Sequence, residues 1–271
     1  MSNERERRYF RLGVCTAVLL LAVLPAAGAE DAASRGPEIG VAVAANFAGT
    51  AEQLCRAWFA QRPGRCVITP GASGVLASQA AQGAPFDIFL SADRQRPERL
   101  EVDGVAVPGT RFTYAIGRLV LWVPQWRGGA DLRAALADAG VRIVAIAKPT
   151  AAPYGAAAIE TLHSLGLDRD DSRRVVQGEN VAQAFQFVAS GAADAGFVAA
   201  SQVLDYEART GKQLAGAAIA VDPTLHAPIE QQAVLLARAR ANADARALLE
   251  FLKSAEAQRL IESAGYSLPP R

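Results

Sequence analysis

Short apolar runs alternate with amphipathic stretches along most of this chain, and the alternation predicts strands and helices in turn. Residues 39–45 read as a strand, 50–61 as a helix turning Leu54, Trp58 and Phe59 inward, and 66–69 as a second strand. This is a βαβ beginning. Ser73 then introduces a helix through residue 81 that Gly83 closes, and Phe86-Asp87-Ile88-Phe89-Leu90 forms a short buried strand. Further strands are predicted at 119–123, 142–146, 175–176, 195–199 and 233–237. Helices are predicted at 131–139, 154–165, 181–190, 244–254 and 255–263, with Gly166 and Gly191 as stops. No solenoid repeat and no low-complexity tract interrupts the pattern, so a mostly parallel α/β architecture is expected.

The first 29 residues have a different pattern. Arg5, Arg7, Arg8 and Arg11 precede an uncharged apolar run at 12–24 and the small residues Ala27-Gly28-Ala29, which is the layout of a cleavable export signal. Thirteen apolar residues fall short of the ~20 that span a bilayer. Cys15 sits early in the run behind Val14, which argues against a lipid attachment site. A mature periplasmic protein starting near Glu30 is expected.

Removing the leader changes the charge balance from +1 to about −1, with 24 basic and 25 acidic side chains remaining. Nothing basic enough to hold nucleic acid is left. Some 240 residues suffice for one large α/β domain or two lobes. Cys55 and Cys66 remain in the mature chain, and in an oxidising compartment the direct reading is one disulfide between the first helix and the next strand. Two buried thiols are the alternative.

Three stretches then suggest chemistry. Ala44-Ala45-Asn46-Phe47, Gly71-Ala72-Ser73-Gly74 and Ala152-Pro153-Tyr154-Gly155 each stand where a strand or loop gives way to a helix. Helix starts present unpaired N–H groups and the positive end of the peptide dipole, so several converging on one point bind an anion without formal charge. Taken singly, Asn46 and Ser73 could be ordinary N-caps, and Tyr154 a packing aromatic. The Gly71–Gly74 stretch lacks the lysine of a nucleotide-binding loop. Asp87 and Asp93 flank an apolar strand; they read as framework, with Asp93 capping the segment after it. His163 and His226 have no partners at zinc-ligand spacing, and no nucleophile elbow is present. Catalysis is not expected, and neither is a cofactor.

In order along the chain, Val41 to Phe47, Gly71-Ala72-Ser73-Gly74-Val75-Leu76, and Gly83-Ala84-Pro85-Phe86-Asp87-Ile88-Phe89-Leu90-Ser91-Ala92-Asp93 resemble the periplasmic molybdate-binding proteins of ABC transporters. Arg111-Phe112-Thr113-Tyr114-Ala115-Ile116-Gly117, Ala152 to Ala157, Gln177-Gly178-Glu179-Asn180-Val181 and Gly196-Phe197-Val198-Ala199 extend the resemblance over nearly the whole mature chain. It implies a type II periplasmic binding fold, with two α/β lobes joined by a two-strand hinge and the ligand in the cleft between them. One lobe is expected over 38–116 and 224–271, the other over 117–223. It further implies that Asn46, Ser73, Tyr154 and Val181 bind molybdate or tungstate. Asn46 would give its side-chain amide and N–H, Ser73 its hydroxyl and N–H, and Tyr154 and Val181 their N–H groups. Many members carry Ser where this chain has Asn46. A monomer that delivers its ligand to an ABC permease is implied by the same resemblance.

Rival readings share the fold or leave it. Sulfate, phosphate or ferric iron are the rival solutes; Glu179 near Val181 keeps phosphate open, while Tyr206, apart from any second tyrosine, counts against iron. A secreted hydrolase or a sensor's ligand-binding module would need a nucleophile and base, or an attached signalling region.

Overall fold

A computed structural model describes residues 36–167 and 174–270 of the protein, so the expected export signal at 1–29 lies outside the described residues. The chain opens with β1 (Glu38–Ala44), a 3-10 turn (Ala45–Phe47), α1 (Ala48–Phe59), β2 (Arg65–Gly71), α2 (Ser73–Ala81), β3 (Ile88–Ser91), α3 (Gln95–Val102) and β4 (Phe112–Gly117). It crosses at Arg118 into β5 (Leu119–Val123), α4 (Leu132–Ala137), β6 (Ile143–Ala147), α5 (Pro153–Ser164), β7 (Arg174–Gly178), α6 (Val181–Ala189), β8 (Ala195–Ala199), α7 (Ala200–Thr210) and β9 (Ala217–Ala220). It then returns to β10 (Ile229–Leu235) and ends with α8 (Ala243–Phe251) and α9 (Ala255–Ser263).

Two five-stranded sheets result, in the orders β2-β1-β3-β10-β4 and β7-β6-β8-β5-β9. Each is a lobe with helices on both faces. In the first, Ile39, Val41 and Val43 pack under α1, α8 and α9, while Ala42, Phe89 and Val234 face α2 and α3. In the second, Leu119, Leu121 and Ile146 meet α4 and α5, and Val120, Trp122 and Val198 meet α6 and α7. The alternating faces of β5 and β10 thus feed two cores at once.

Each sheet is mostly parallel, as expected, with one strand reversed. β1 pairs parallel with β2 and β3, and β6 parallel with β7 and β8, whereas β10 runs antiparallel to β3 and β4, and β5 antiparallel to β8 and β9. The reason is topological. β5 and β10 are the strands that enter a lobe from the other one, so each starts at the crossing and runs away from it. The remaining strands end there, and their carboxyl ends aim the following helix starts at the space between the lobes.

Four elements escape the sequence pattern: α3, β4, α7 and β9. The highly charged sequence of α3 contains Pro97, which its first turn tolerates but which reads as a break. α7 succeeds β8 without a spacer, so no punctuation marks its start.

Cys55 of α1 and Cys66 of β2 are joined in a disulfide with their Cα atoms 6.1 Å apart. The bridge closes a loop of sequence separation 11, for which restriction of the unfolded chain contributes about 2.5 kcal/mol. A Cys55→Ser/Cys66→Ser variant should lose that much in a urea melt while keeping its ligand affinity, because Cys66 lies near the start of β2 and only the strand's other end, at Gly71, reaches the space between the lobes. Equal stability with and without the bridge would contradict this.

Candidate functional site

A small cavity lies between the lobes, and its wall contains Asn46, Ser73, Tyr154 and Val181 together. All four residues singled out from sequence therefore line one space. The remaining wall includes Ala45, Ala72, Ala92, Ala152 and Asn180 and carries no charged side chain.

Ser73 is the first residue of α2 and only 1% exposed. The helix cap is Ala72, so Ser73 is not the ordinary N-cap that stood as its alternative reading. Its Oγ accepts the Ala92 N–H at 2.9 Å, which orients the hydroxyl and leaves its own hydrogen to donate. Val181 is the first residue of α6, and Asn180 caps the helix by accepting from Ala182 N–H (3.0 Å) and Gln183 N–H (3.1 Å). That cap satisfies the second and third N–H groups and leaves the first, from the cavity-lining Val181, without a partner in its own helix. Tyr154 comes directly after Pro153 at the start of α5, where an N–H has no carbonyl of its own helix within reach.

Asn46 reaches the cavity wall with its side-chain amide engaged inside the protein. It lies within the 3-10 turn and is not a helix cap, and its Nδ2 donates to Gln231 Oε1 at 3.0 Å and to Tyr266 OH at 3.1 Å. Both amide hydrogens are thus committed inside the protein. Neither of these partners is part of the cavity wall.

Around the cavity the lobes touch directly. Gly74 N–H donates to Ala151 O at 2.9 Å, Arg96 Nη2 to Thr150 O at 3.0 Å, and Ser201 Oγ to Asn46 O at 3.0 Å. The two acidic residues flanking β3 face elsewhere. Asp87 accepts from Gly40 N–H (2.8 Å) and pairs with Arg238 (3.2 Å), and Asp93 accepts from Arg96 N–H (2.9 Å) and pairs with the Arg96 guanidinium. Asp93, one residue before the cap Arg94, thereby takes up a first-turn N–H of α3. Glu179 is exposed and does not line the cavity. Among the described residues no cluster of three or more His, Cys, Asp or Glu could hold a metal ion.

A larger groove beside the cavity is lined by Glu52, Arg56, Asp205 and Arg209, but its charges are paired as Arg56–Glu52 (3.8 Å) and Arg209–Asp205 (3.4 Å).

Sequence spacing gives no hint that Tyr114, Tyr154 and Tyr266 meet around Gln231. Tyr114 OH donates to Gln231 Oε1 at 3.1 Å, Gln231 Nε2 donates to Tyr154 OH at 3.4 Å, and Tyr266 OH donates to Asn46 O at 2.7 Å. Clustered tyrosines would suit ferric iron, but Tyr206, whose isolation counted against that reading, is not one of these. These phenols are nevertheless engaged with amides and hydroxyls, and burial raises the pKa of all three, so phenolate ligands are disfavoured. The sign of the linkage gives a prediction. The fold retains protons that unfolded tyrosine releases above its ordinary pKa of about 10, so stability should hold below about pH 10 and fall above it. Urea melts from pH 8 to 11.5 test this, and a flat profile would refute it.

An uncharged cavity lined by the first residues of three helices thus lies between two α/β lobes. Residues 39–267 match the family described as bacterial extracellular solute-binding protein. The chain belongs to that family. It is 42% identical over 249 residues to the molybdate-binding protein ModA of Azotobacter vinelandii, covering 92% of this chain and 97% of that one. With the molybdate-binding protein ModA of Rhodobacter capsulatus it shares 41% identity over 258 residues, 94% and 96% of the two chains. The solved structure of the Azotobacter vinelandii periplasmic molybdate-binding protein superposes with a TM-score of 0.79 at 39% identity, covering 86% of this chain and all of that one. These likenesses agree with the two-lobe type II binding fold expected from sequence.

Proposed function

We infer that this protein captures molybdate, and tungstate with it, in the interlobe cavity and delivers it to an ABC permease from the periplasm. The observation that carries the reading is the wall of the cavity: first-turn N–H groups and one serine hydroxyl converge where no carboxylate or other charged side chain is present. A fully deprotonated dianion can only accept hydrogen bonds, and this wall is built to donate them. The similarity to two molybdate-binding proteins over nearly their full length supports the same ligand.

The lobes are taken as 38–116 with 224–271, and 117–223. The donor set comprises the N–H groups of Asn46, Ser73, Tyr154 and Val181 and the Ser73 hydroxyl. Capture begins on one lobe, and closure brings the second lobe's N–H groups into the shell, where exclusion of water strengthens each bond. A smaller anion such as sulfate leaves donors unpaired, at about 1–3 kcal/mol each. Phosphate near neutral pH keeps a proton that needs an acceptor, and no carboxylate lines the wall. The chain acts as a monomeric binder, with export through the 1–29 leader and no enzymatic step.

Calorimetric titration of the mature protein with molybdate, tungstate, sulfate and phosphate at pH 7.5 tests the reading. Tight one-to-one binding of the first two alone is expected; preference for sulfate or phosphate would overturn the assigned ligand. In the same assay Ser73→Ala should weaken molybdate about tenfold or more, since a hydrogen bond to a charged group contributes about 1.5–3 kcal/mol. It should also lose about 1–2 kcal/mol of stability, because the buried Ala92 N–H is left without its acceptor. Undiminished affinity would remove Ser73 from the site.

A further inference from the structure

Gln231 lies on β10, the strand that carries the chain back from the second lobe into the first sheet, and its side chain is completely buried. The pairing of β10 with β4 slips between Gln231 and Gln232. Such a bulge re-aims side chains. Gln232 turns to Arg111 Nη1 (2.8 Å) and Thr113 Oγ1 (3.0 Å), whereas Gln231 points into the tyrosine cluster behind the cavity.

The Gln231 amide holds one residue of the cavity wall from each lobe. Its Oε1 has two lone pairs, which accept from Asn46 Nδ2 and Tyr114 OH; its Nε2 donates to the phenol of Tyr154. Donor and acceptor inventories tie the two amides to each other, since reversing Gln231 alone would set Nε2 against the Asn46 donor. The contact with Tyr154 is possible because Gly117 ends β4 at this point. A Cβ there would strike Tyr154 OH and come within 2.9 Å of Gln231 Nε2.

We propose that Gln231 is a positioning residue for the oxyanion site: from the hinge strand it sets Asn46 on one lobe and Tyr154 on the other so that their N–H groups meet in register on closure. Gln231 does not line the cavity and acts through the two residues that do. This rests on the oxyanion-binding reading of the cavity. It explains why a strand buried in the middle of a sheet carries a polar side chain, and why the Asn46 amide faces the hinge instead of the ligand.

The test is molybdate titration of wild type, Gln231→Met, Asn46→Ala and the double variant, with melting temperatures of the ligand-free proteins. Gln231→Met keeps the volume and removes the amide. Its dissociation constant should rise about tenfold to a hundredfold, the range expected from leaving one buried donor unpaired. If Gln231 acts through Asn46, the double variant should bind little worse than Asn46→Ala alone. A purely structural role predicts a lowered melting temperature with unchanged affinity, or fully additive losses, and either result overturns the proposal. Should Gln231→Met not fold, Tyr154→Phe cuts the same relay at its other end while keeping the Tyr154 N–H; wild-type affinity in that variant also overturns it. A wild-type protein that binds neither molybdate nor any other oxyanion overturns the functional reading as well, which separates the two failures.

Discussion

Val181→Pro should abolish tight molybdate binding while leaving the protein folded. Val181 is the first residue of α6, where proline's fixed φ suits the helix and its missing N–H removes no internal bond. The preceding residue must be extended, and Asn180 already is, at φ −150° and ψ 176°. The Asn180 cap bonds to Ala182 and Gln183 are untouched by the change. The substitution removes the N–H of a cavity-lining residue, and a ring carbon takes its place. Loss of a hydrogen bond to a charged acceptor costs about 1.5–3 kcal/mol, and contact with the ring adds repulsion, so affinity should fall about a hundredfold or more. Val181→Ala retains the N–H and should show a far smaller loss. Calorimetry beside circular dichroism decides the matter: a folded Val181→Pro protein with wild-type affinity would exclude the backbone donor.

The contrast between Val181 and Gln231 indicates how much a sequence can disclose. Val181 has no functional side chain, and only the family-like run Gln177-Gly178-Glu179-Asn180-Val181, placed at the start of an apolar helical pattern, points to it. Ser73 and Tyr154 likewise stand in short runs that mark helix starts. Gln231 lies in Ile229-Glu230-Gln231-Gln232, a polar run in which only the apolar end of β10 reads as a strand. Its burial depends on partners far away in sequence, namely Asn46, Tyr114 and Tyr154, and periodicity carries no such information. Strand direction is hidden for a similar reason. An apolar run reads the same whether the chain enters a sheet at the crossing or at the far end, so the antiparallel placement of β5 and β10 has no local signature. The Asn46 amide is the clearest case at the site itself. The residue is legible, but its orientation is set by Gln231 and Tyr266, which nothing in the sequence brings near it.

Closure has a physical basis in these same contacts. Asn46 O accepts from Ser201 Oγ across the lobes and from Tyr266 OH within its own, with the two hydroxyl oxygens 2.9 Å apart. Two hydroxyl hydrogens serve three close oxygen contacts, so one contact is always without a hydrogen, and opening the lobes returns Ser201 to water at modest cost. The hydrogen bonds from Gly74, Arg96 and Ser201 across the lobes all go to backbone carbonyls. A bound dianion that bonds to N–H groups on both sides therefore shifts the balance toward the closed form by the bonds that only that form completes.

Gly155→Ala should damage stability and binding together, the opposite outcome to Val181→Pro. Gly155 lies in the first turn of α5, next to Tyr154, and that turn presses on the end of β6. A Cβ at this position would collide with the Ala147 carbonyl oxygen, stand 2.7 Å from its carbon, and lie 3.1 Å from the Lys148 carbonyl carbon. All three are backbone atoms, so no side chain can rotate out of the way. Alanine gains about 1 kcal/mol over glycine in helix propensity, but overpacking against a rigid wall costs about 1–3 kcal/mol and more where nothing can yield. The collision wins, and α5 must lift from the strand for a net loss of about 2 kcal/mol or more. Lifting α5 moves the Tyr154 N–H away from the cavity, and hydrogen-bond strength falls steeply as geometry degrades. A urea melt and a molybdate titration on one preparation should therefore decline in parallel. If Gly155→Ala proves as stable as wild type, the close seat of α5 on β6, and with it the fixed position of the Tyr154 donor, must be abandoned.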